Sequence, residues 1–156
     1  MANERERKFL VNRLPKELMG TPSRIIQGYI PTVDKSIAVR IRTRDEAGFI
    51  TFKRKLTDIT NAGYETDKDR DIAKEMIKVI CHPDNIIDKF RYVFPVEGTN
   101  LSWELDVFNG ANDTLVLVEV EMPEETSAFE LPDWIGTEVT SDKRYSNANL
   151  AVTLLS

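Results

Sequence analysis

Through most of this chain apolar and polar side chains alternate one for one. Ile37, Val39 and Ile41 alternate with Arg40 and Arg42, Leu105 and Val107 with Glu104 and Asp106, and Val118, Val120 and Met122 with Glu119 and Glu121. A period of two is the signature of a strand with one apolar face. The pattern predicts strands over 3–11, 25–32, 36–44, 48–56, 62–67, 88–96, 101–108, 114–122 and 138–145. Short polar connections at 46–48, 97–100 and 109–113 suit antiparallel hairpins. One stretch changes period: Ile72, Met76, Val79 and Ile80 recur at helical spacing between Asp69 and Ile80, and Pro83 follows. That is an amphipathic helix. Two more helices are expected over about 123–131, with proline first, and about 146–155.

Many strands with short connections and few helices point to an antiparallel sheet, which can close into a barrel to remove its edges. Its polar face is unusual. Charges recur at a spacing of two in Glu4, Glu6 and Lys8, in Arg40 and Arg42, Lys53 and Lys55, Lys89 and Arg91, Glu104 and Asp106, and Glu119 and Glu121. One such pair is explained by a solvated face. All of them together cannot form an apolar core, so the face lines a wet cavity or stays in bulk solvent. The opposite apolar faces need cover, which amphipathic helices can supply, so the sheet is expected to be inside out. Arg5 and Arg7 fall on the face opposite Glu4, Glu6 and Lys8, and are expected outside the cavity.

Composition narrows the function. A chain of 156 residues, 41% hydrophobic and 30% charged, fits one soluble globular domain. Its net charge of −5 and pI near 5.0 argue against a nucleic-acid coat, while leaving room for a small anion in a local basic pocket. No apolar run approaches a spanning helix, the N-terminus is polar, and the single cysteine, Cys81, cannot pair internally; a cytoplasmic, membrane-free protein is expected. Homodimerisation is left open. His82 is the lone histidine, so neither a zinc cage nor a serine triad can be assembled, and it reads as a helix-end residue. Gly28 and Tyr29 read as a tight approach between strands and a packing aromatic or as part of a cavity mouth, and Trp134 as a packing anchor.

Chemistry is therefore left to carboxylates, cations and metal. Two Glu-x-Glu pairs facing each other would offer hard oxygens to Mg²⁺ or Mn²⁺, and the arginines and lysines would grip successive phosphates. The same residues carry a family resemblance. Glu4-Arg5-Glu6-Arg7-Lys8, Gln27-Gly28-Tyr29-Ile30, Val39-Arg40-Ile41-Arg42, Thr51-Phe52-Lys53, Lys89-Phe90-Arg91-Tyr92, Glu104-Leu105-Asp106-Val107-Phe108 and Val118-Glu119-Val120-Glu121 follow in order. With Trp134–Thr140 and Asp142–Asn147, they resemble the CYTH domain, or triphosphate tunnel metalloenzyme, superfamily in its bacterial single-domain branch.

The resemblance implies one domain over 1–156, of α+β class: a closed eight-stranded antiparallel β-barrel with a few flanking helices and a charged tunnel. It implies metal ligands at Glu4, Glu6, Glu119 and Glu121, with Asp106 a further ligand or water-orienting base. Phosphates would be held by Lys8, Arg40, Arg42, Lys53, Lys89 and Arg91, with Arg144 and Lys55 as weaker members; Lys8, Lys53, Lys89 and Asp106 are the expected catalytic set. One departure is visible. Related bacterial sequences show Arg-x-Glu-Tyr-Glu where this chain has Asn61-Ala62-Gly63-Tyr64-Glu65, which leaves Glu65 as the inward acid. Little sequence remains to build an organic-head pocket, so the expected activity is metal-dependent cleavage of tripolyphosphate to pyrophosphate and phosphate. The competing readings are an organic triphosphatase, an adenylyl cyclase and a non-catalytic polyphosphate-binding module.

Overall fold

The computed structural model describes residues 2–34, 36–56, 60–123 and 129–152. Its strands are β1 (Ala2–Val11), β2 (Ser23–Ile30), β3 (Ile37–Arg44), β4 (Ala47–Lys55), β5 (Thr60–Asp69), β6 (Ile86–Pro95), β7 (Ser102–Phe108), β8 (Val116–Met122) and β9 (Ile135–Glu138); its helices are α1 (Arg70–Ile80) and α2 (Asn147–Val152). The strands form one sheet in the order β5-β4-β3-β2-β6-β7-β8-β1-β9. Among the described residues every strand pairing is antiparallel, and the first residues of β1 also pair with β5, Ala2 opposite Gly63 and Arg5 opposite Thr60. The first eight strands lie within two residues of where the alternation puts them.

Two expectations change. The strand expected over 138–145 is Ile135–Glu138 instead, because the Asp142 side chain accepts from the Arg144 amide at 3.1 Å and starts a 3₁₀ turn at Lys143–Tyr145. Of the helix expected over 123–131, residues 124–128 lie outside the described residues, and 123 and 129–131 are not helical. Phe129 instead meets Trp103 edge-on, with ring centroids 5.8 Å apart. The third helix is described as Asn147–Val152, its expected last turn lying outside the described residues.

Helix α1 forms where expected but turns a different face to the sheet. Asp69 caps it, accepting from the amides of Asp71 and Ile72. Ala73 and Ile77 are its buried residues, whereas Ile72, Val79 and Ile80 stay exposed. Two glycines choose the face. A Cβ on Gly48 would sit 2.8 Å from the Ala73 Cβ, and one on Gly28 would sit 2.4 Å from the Cys81 sulfur. Gly28 thus admits the end of a helix rather than a neighbouring strand. The small side of α1 is the side that fits, and it covers Ile41 on β3.

The apolar side of β1, β6, β7 and β8 packs Phe9, Phe94, Trp103, Leu105, Val118 and Val120 under Trp134 and Ile135. Trp134 lies 5.5 Å from Trp103 and 5.7 Å from Phe94, ring centre to ring centre, as a packing anchor would. A third cluster lies on the charged side of the sheet, where Tyr29, Ile87, Phe108 and Leu117 meet Val139 and Leu150 of the returning C-terminal segment. Apolar cover therefore comes from α1, from the stretch leading into β9 and from α2.

Candidate active site

Residues opposite each other in adjacent strands share a face. The register places Glu6 opposite Glu121 and Lys8 opposite Glu119, Glu104 opposite Glu119, and Arg91 opposite Asp106. Further along the sheet, Gln27 is opposite Arg42, Arg40 opposite Thr51, Thr51 opposite Glu65 and Lys53 opposite Gly63. One face thus collects nearly all the charges that the alternation singled out. Burial takes part of this face out of bulk solvent: Lys8, Lys89, Arg91 and Asp106 are each 9% exposed or less. Such groups persist away from water only when paired.

On β6, β7 and β8 the pairing is dense. Asp106 accepts from Lys89 Nζ at 2.7 Å and from Arg91 Nε and Nη2 at 2.8 Å each. Arg91 also donates to Glu104 at 2.8 Å and Glu119 at 3.1 Å. Burial would raise the Asp106 carboxyl, but Lys89 and Arg91 overcome it and hold the group ionised far below the usual range. Burial lowers Lys89 toward about 7, with Asp106 the largest opposing influence. For Glu119 burial again works upward and is overcome by Lys8, then Arg91.

On β3 the two arginines of this face have mostly neutral partners. Arg42 Nε donates to Gln27 Oε1 at 2.8 Å, and Gln27, which is completely buried, donates in turn to the Tyr29 hydroxyl. Arg40 donates to Thr51 Oγ1 at 3.3 Å and lies 3.7 Å from Glu65, to which the Thr51 hydroxyl also donates. Among the described residues the buried Arg40 Nε has no hydrogen-bond partner. Burial, then Arg40 and Arg91, push the Arg42 guanidinium down to about 9. These two arginines meet less counter-charge at short range than Arg91 does.

Glu6 holds the opposite imbalance. Its carboxyl is raised to about 7, by Glu119 first and by burial second, against the pull of Lys8 and Lys53. The Glu4 and Lys55 side chains lie outside the described residues, and Glu121 is exposed. Among the described residues no three acidic, histidine or cysteine groups form a ready-made metal cage.

Other expected residues stand apart. Arg144 is 70% exposed along its side chain and forks onto Asp142 at 2.7 and 3.1 Å. Arg7 donates two hydrogen bonds to Glu138 and lies over the Phe9 ring, on the side away from Lys8. His82 is exposed, and its Nδ1 accepts from the Asp84 amide at the start of a short 3₁₀ turn. The sequence reading passed over Gln27, Thr51 and Asn147 as site residues. Gln27 was findable, a lone polar residue between aliphatics with the parity of Tyr29. Asn147 was not, because only the chain's return brings it to Lys89, 3.0 Å away.

An antiparallel sheet burying arginines, lysines and carboxylates on one face defines a protein that handles a compact, multiply charged anion. This chain belongs to the CYTH domain family, whose model matches residues 2–154. It is 39% identical over 150 residues to an inorganic triphosphatase of Acetivibrio thermocellus, covering 96% of this chain and 94% of that protein. An inorganic triphosphatase of Nitrosomonas europaea is 38% identical over 154 residues, covering 97% and 98% respectively. A crystal structure of an inorganic triphosphatase superposes with a TM-score of 0.73 at 34% identity, covering 100% of this chain and 99% of that one. No described helix is long and apolar enough to cross a membrane.

Proposed function

We propose that the protein is an inorganic triphosphatase that cleaves tripolyphosphate to pyrophosphate and phosphate, inside a closed eight-stranded barrel and with a divalent metal ion. The observation that carries this reading is Arg40 and Arg42 of β3 held mainly by neutral groups, with Lys53 of β4 near enough to Glu6 of β1 to act on it. Arg40, with an unpartnered N–H, and Arg42, held close to other arginines, offer an anion both hydrogen bonds and charge relief. The relatives' activity supports the same substrate. Closure is supported by the β1–β5 pairing and by the influence of Lys53, on β4, upon Glu6, on β1.

In this reading a linear triphosphate lies along Lys8, Arg40, Arg42 and Lys53. Lys89 and Arg91 border it from behind their carboxylates. Water adds to the terminal phosphorus, the bridging P–O bond breaks, and its electrons leave on pyrophosphate. Cations along the chain neutralise that leaving charge and hold the reacting group in line. Asp106 enters as the anchor of Lys89 and Arg91 rather than as the expected ligand or base, since both its oxygens are already taken by strong donors. Arg144 has no part, being exposed and paired with Asp142.

The donor set fits a divalent ion. Glu6 and Glu119 crowd one another until one is pushed toward neutrality, as two hard-oxygen donors without a cation between them should be. Glu4 and Glu121, two residues along from each, would complete the protein's share, with the remaining positions taken by phosphate and water. Mg²⁺ or Mn²⁺ held there would polarise the terminal phosphoryl group and offset its charge. The test is turnover of tripolyphosphate, ATP and thiamine triphosphate side by side with each metal and with chelator. Tripolyphosphate should show the highest kcat/KM and chelator should abolish it. A higher kcat/KM for an organic triphosphate overturns the substrate, and full activity in chelator overturns the metal.

A further inference from the structure

The C-terminal segment reaches the buried face from one side. After β9 it is tied to β1, where the Val139 amide donates to the Lys8 carbonyl at 2.8 Å and the Lys8 amide donates to Thr140 Oγ1 at 3.1 Å. It then crosses the face and buries Leu150 against Tyr29, Ile87, Phe108 and Leu117, while Asn112 Nδ2 donates to the Leu150 carbonyl at 3.2 Å. This fixes the stretch Tyr145–Asn147 against two lysines of the proposed phosphate path. Lys8 Nζ donates to the Tyr145 carbonyl at 3.0 Å, and Lys89 Nζ donates to Asn147 Oδ1 at 3.0 Å. An ammonium can only donate, so the amide oxygen of Asn147 is the atom turned to it. Asn147 shares with Lys8, Glu104, Asp106, Leu117 and Glu119 a gap too narrow for a water molecule.

We infer that Asn147 is a positioning residue for triphosphate hydrolysis, a neutral acceptor that fixes the Lys89 ammonium beside the substrate path without adding a second negative charge to the Lys89–Asp106 pair. The inference rests on the triphosphatase reading above. Its physical basis is the difference between orienting a cation and neutralising it. A carboxylate does both, whereas an amide or carbonyl oxygen supplies direction through one hydrogen bond and leaves the net charge available to an anion. The same choice recurs around the face: Gln27 serves Arg42, Thr51 serves Arg40 and the Tyr145 carbonyl serves Lys8. Lys89 has its carboxylate, Asp106, in hydrogen-bonding contact at 2.7 Å, whereas those of Lys8 and Arg40 stand off at 3.9 and 3.7 Å. A second acid at position 147 would turn a balanced pair into a negative site next to an incoming polyanion.

This predicts opposite kinetic signatures for two substitutions. Asn147→Asp keeps the shape and the acceptor but adds charge, so KM for tripolyphosphate should rise about tenfold or more while kcat falls less, and the rise should shrink as salt screens the added charge. Asn147→Ala keeps the charge balance but frees the ammonium, so kcat should fall about tenfold with KM changed less. A scaffolding role predicts the reverse for Asp: it would be the best tolerated substitution, because the ion pair it makes with Lys89 holds the segment at least as well. Steady-state kinetics of the full chain at several salt concentrations, with Tm measured in parallel, read the difference. Asp behaving like wild type within twofold, or both variants losing activity only in proportion to a lowered Tm, overturns the inference. If Asn147→Ala does not fold, the near-isosteric Asp variant decides alone. Wild-type protein that leaves tripolyphosphate intact overturns the triphosphatase reading itself, a result visible before any variant is made.

Discussion

The two sides of the charged face are built on different rules. On β6, β7 and β8 each cation is matched: Asp106 takes three short hydrogen bonds from Lys89 and Arg91, and Arg91 reaches Glu104 and Glu119 as well. On β3 the arginines meet an amide, a hydroxyl and a single acid at 3.7 Å, and lie close enough together to depress one another. The first side is a lock and the second an open socket. Buried ion pairs barely repay their desolvation but cost heavily when one partner is removed. Arginines held mainly by neutral groups keep charge to offer an arriving anion. Mutations should therefore cost stability on one side and binding on the other.

The sharpest way to break the comparison is to unlock the first side. Asp106→Ala leaves Lys89 and Arg91 buried with their main acceptor gone, and should destabilise the protein by about 3–5 kcal/mol, with turnover lost. Chemical denaturation measures it. A stability loss below about 1 kcal/mol would show that the two cations find other partners and that the lock is not one.

On the open side binding should suffer more than stability. Arg42→Ala should lower kcat/KM for tripolyphosphate by about 100-fold, consistent with loss of a charge-assisted contact of roughly 2–3 kcal/mol. Its stability without substrate should fall by no more than about 1–2 kcal/mol, since the relief of like charge at Arg40 and Arg91 offsets part of the cost of leaving the buried Gln27 oxygen without its donor. Melting curves with and without tripolyphosphate separate the two effects: ligand should raise the wild-type Tm and raise the variant's much less. A variant that melts far below wild type without ligand would make Arg42 a structural residue.

This division was only half legible in the sequence. Strand parity put Glu6, Lys8, Arg40, Arg42, Lys53, Lys89, Arg91, Asp106 and Glu119 on one face, because a side-chain period of two needs nothing but the local chain. Parity cannot say which charges touch. That depends on register between strands distant in sequence, such as Arg91 opposite Asp106, and on a C-terminal segment that brings Asn147 to Lys89 from 58 residues away. The same limit explains the helices. Counting apolar residues in α1 favoured Ile72 and Val79, but packing followed Ala73 because Gly48 and Gly28 lie beneath. Arg144 looked like a phosphate ligand by charge and motif, and only the turn capped by Asp142 turns it outward.

A pH series sharpens the carboxylate end. Glu6 has its folded-state pKa raised from 4.5 to about 7, by Glu119 first and then burial. An acid raised in this way binds its proton more tightly when folded, so it costs nothing below about 4.5 and progressively destabilises the fold as pH rises through about 7. Metal-free Glu6→Gln should therefore be more stable than wild type at pH 8, by up to about 3 kcal/mol, with the gap closing near pH 5. Mg²⁺ or Mn²⁺ should stabilise wild type at pH 8 and the variant less. A gap that does not vary with pH would remove the crowded Glu6–Glu119 pair from the account.

The smallest effect tests the boundary of both sides. Arg7 and Lys8 are adjacent, yet alternation sends Lys8 to the buried face and Arg7 to the other, where it forks onto Glu138 with hydrogen bonds of 3.0 and 2.8 Å. The partners' side chains are 27% and 39% exposed, so solvent screens the pair and its net worth is about 0.2–1 kcal/mol. Some of that is packing of the guanidinium over the Phe9 ring, 5.0 Å from its centre, which a double-mutant cycle with Glu138→Ala would separate. Arg7→Ala should thus shift Tm by a few degrees at most and leave kcat and KM for tripolyphosphate within about twofold of wild type. Lys8→Ala, one residue along, removes an ammonium held by the Tyr145 carbonyl and 3.9 Å from Glu119, and should lower kcat/KM by at least tenfold. Equal losses from the two neighbours would mean that strand parity does not separate site from scaffold in β1, and the two-sided picture of the face would fail at its first strand.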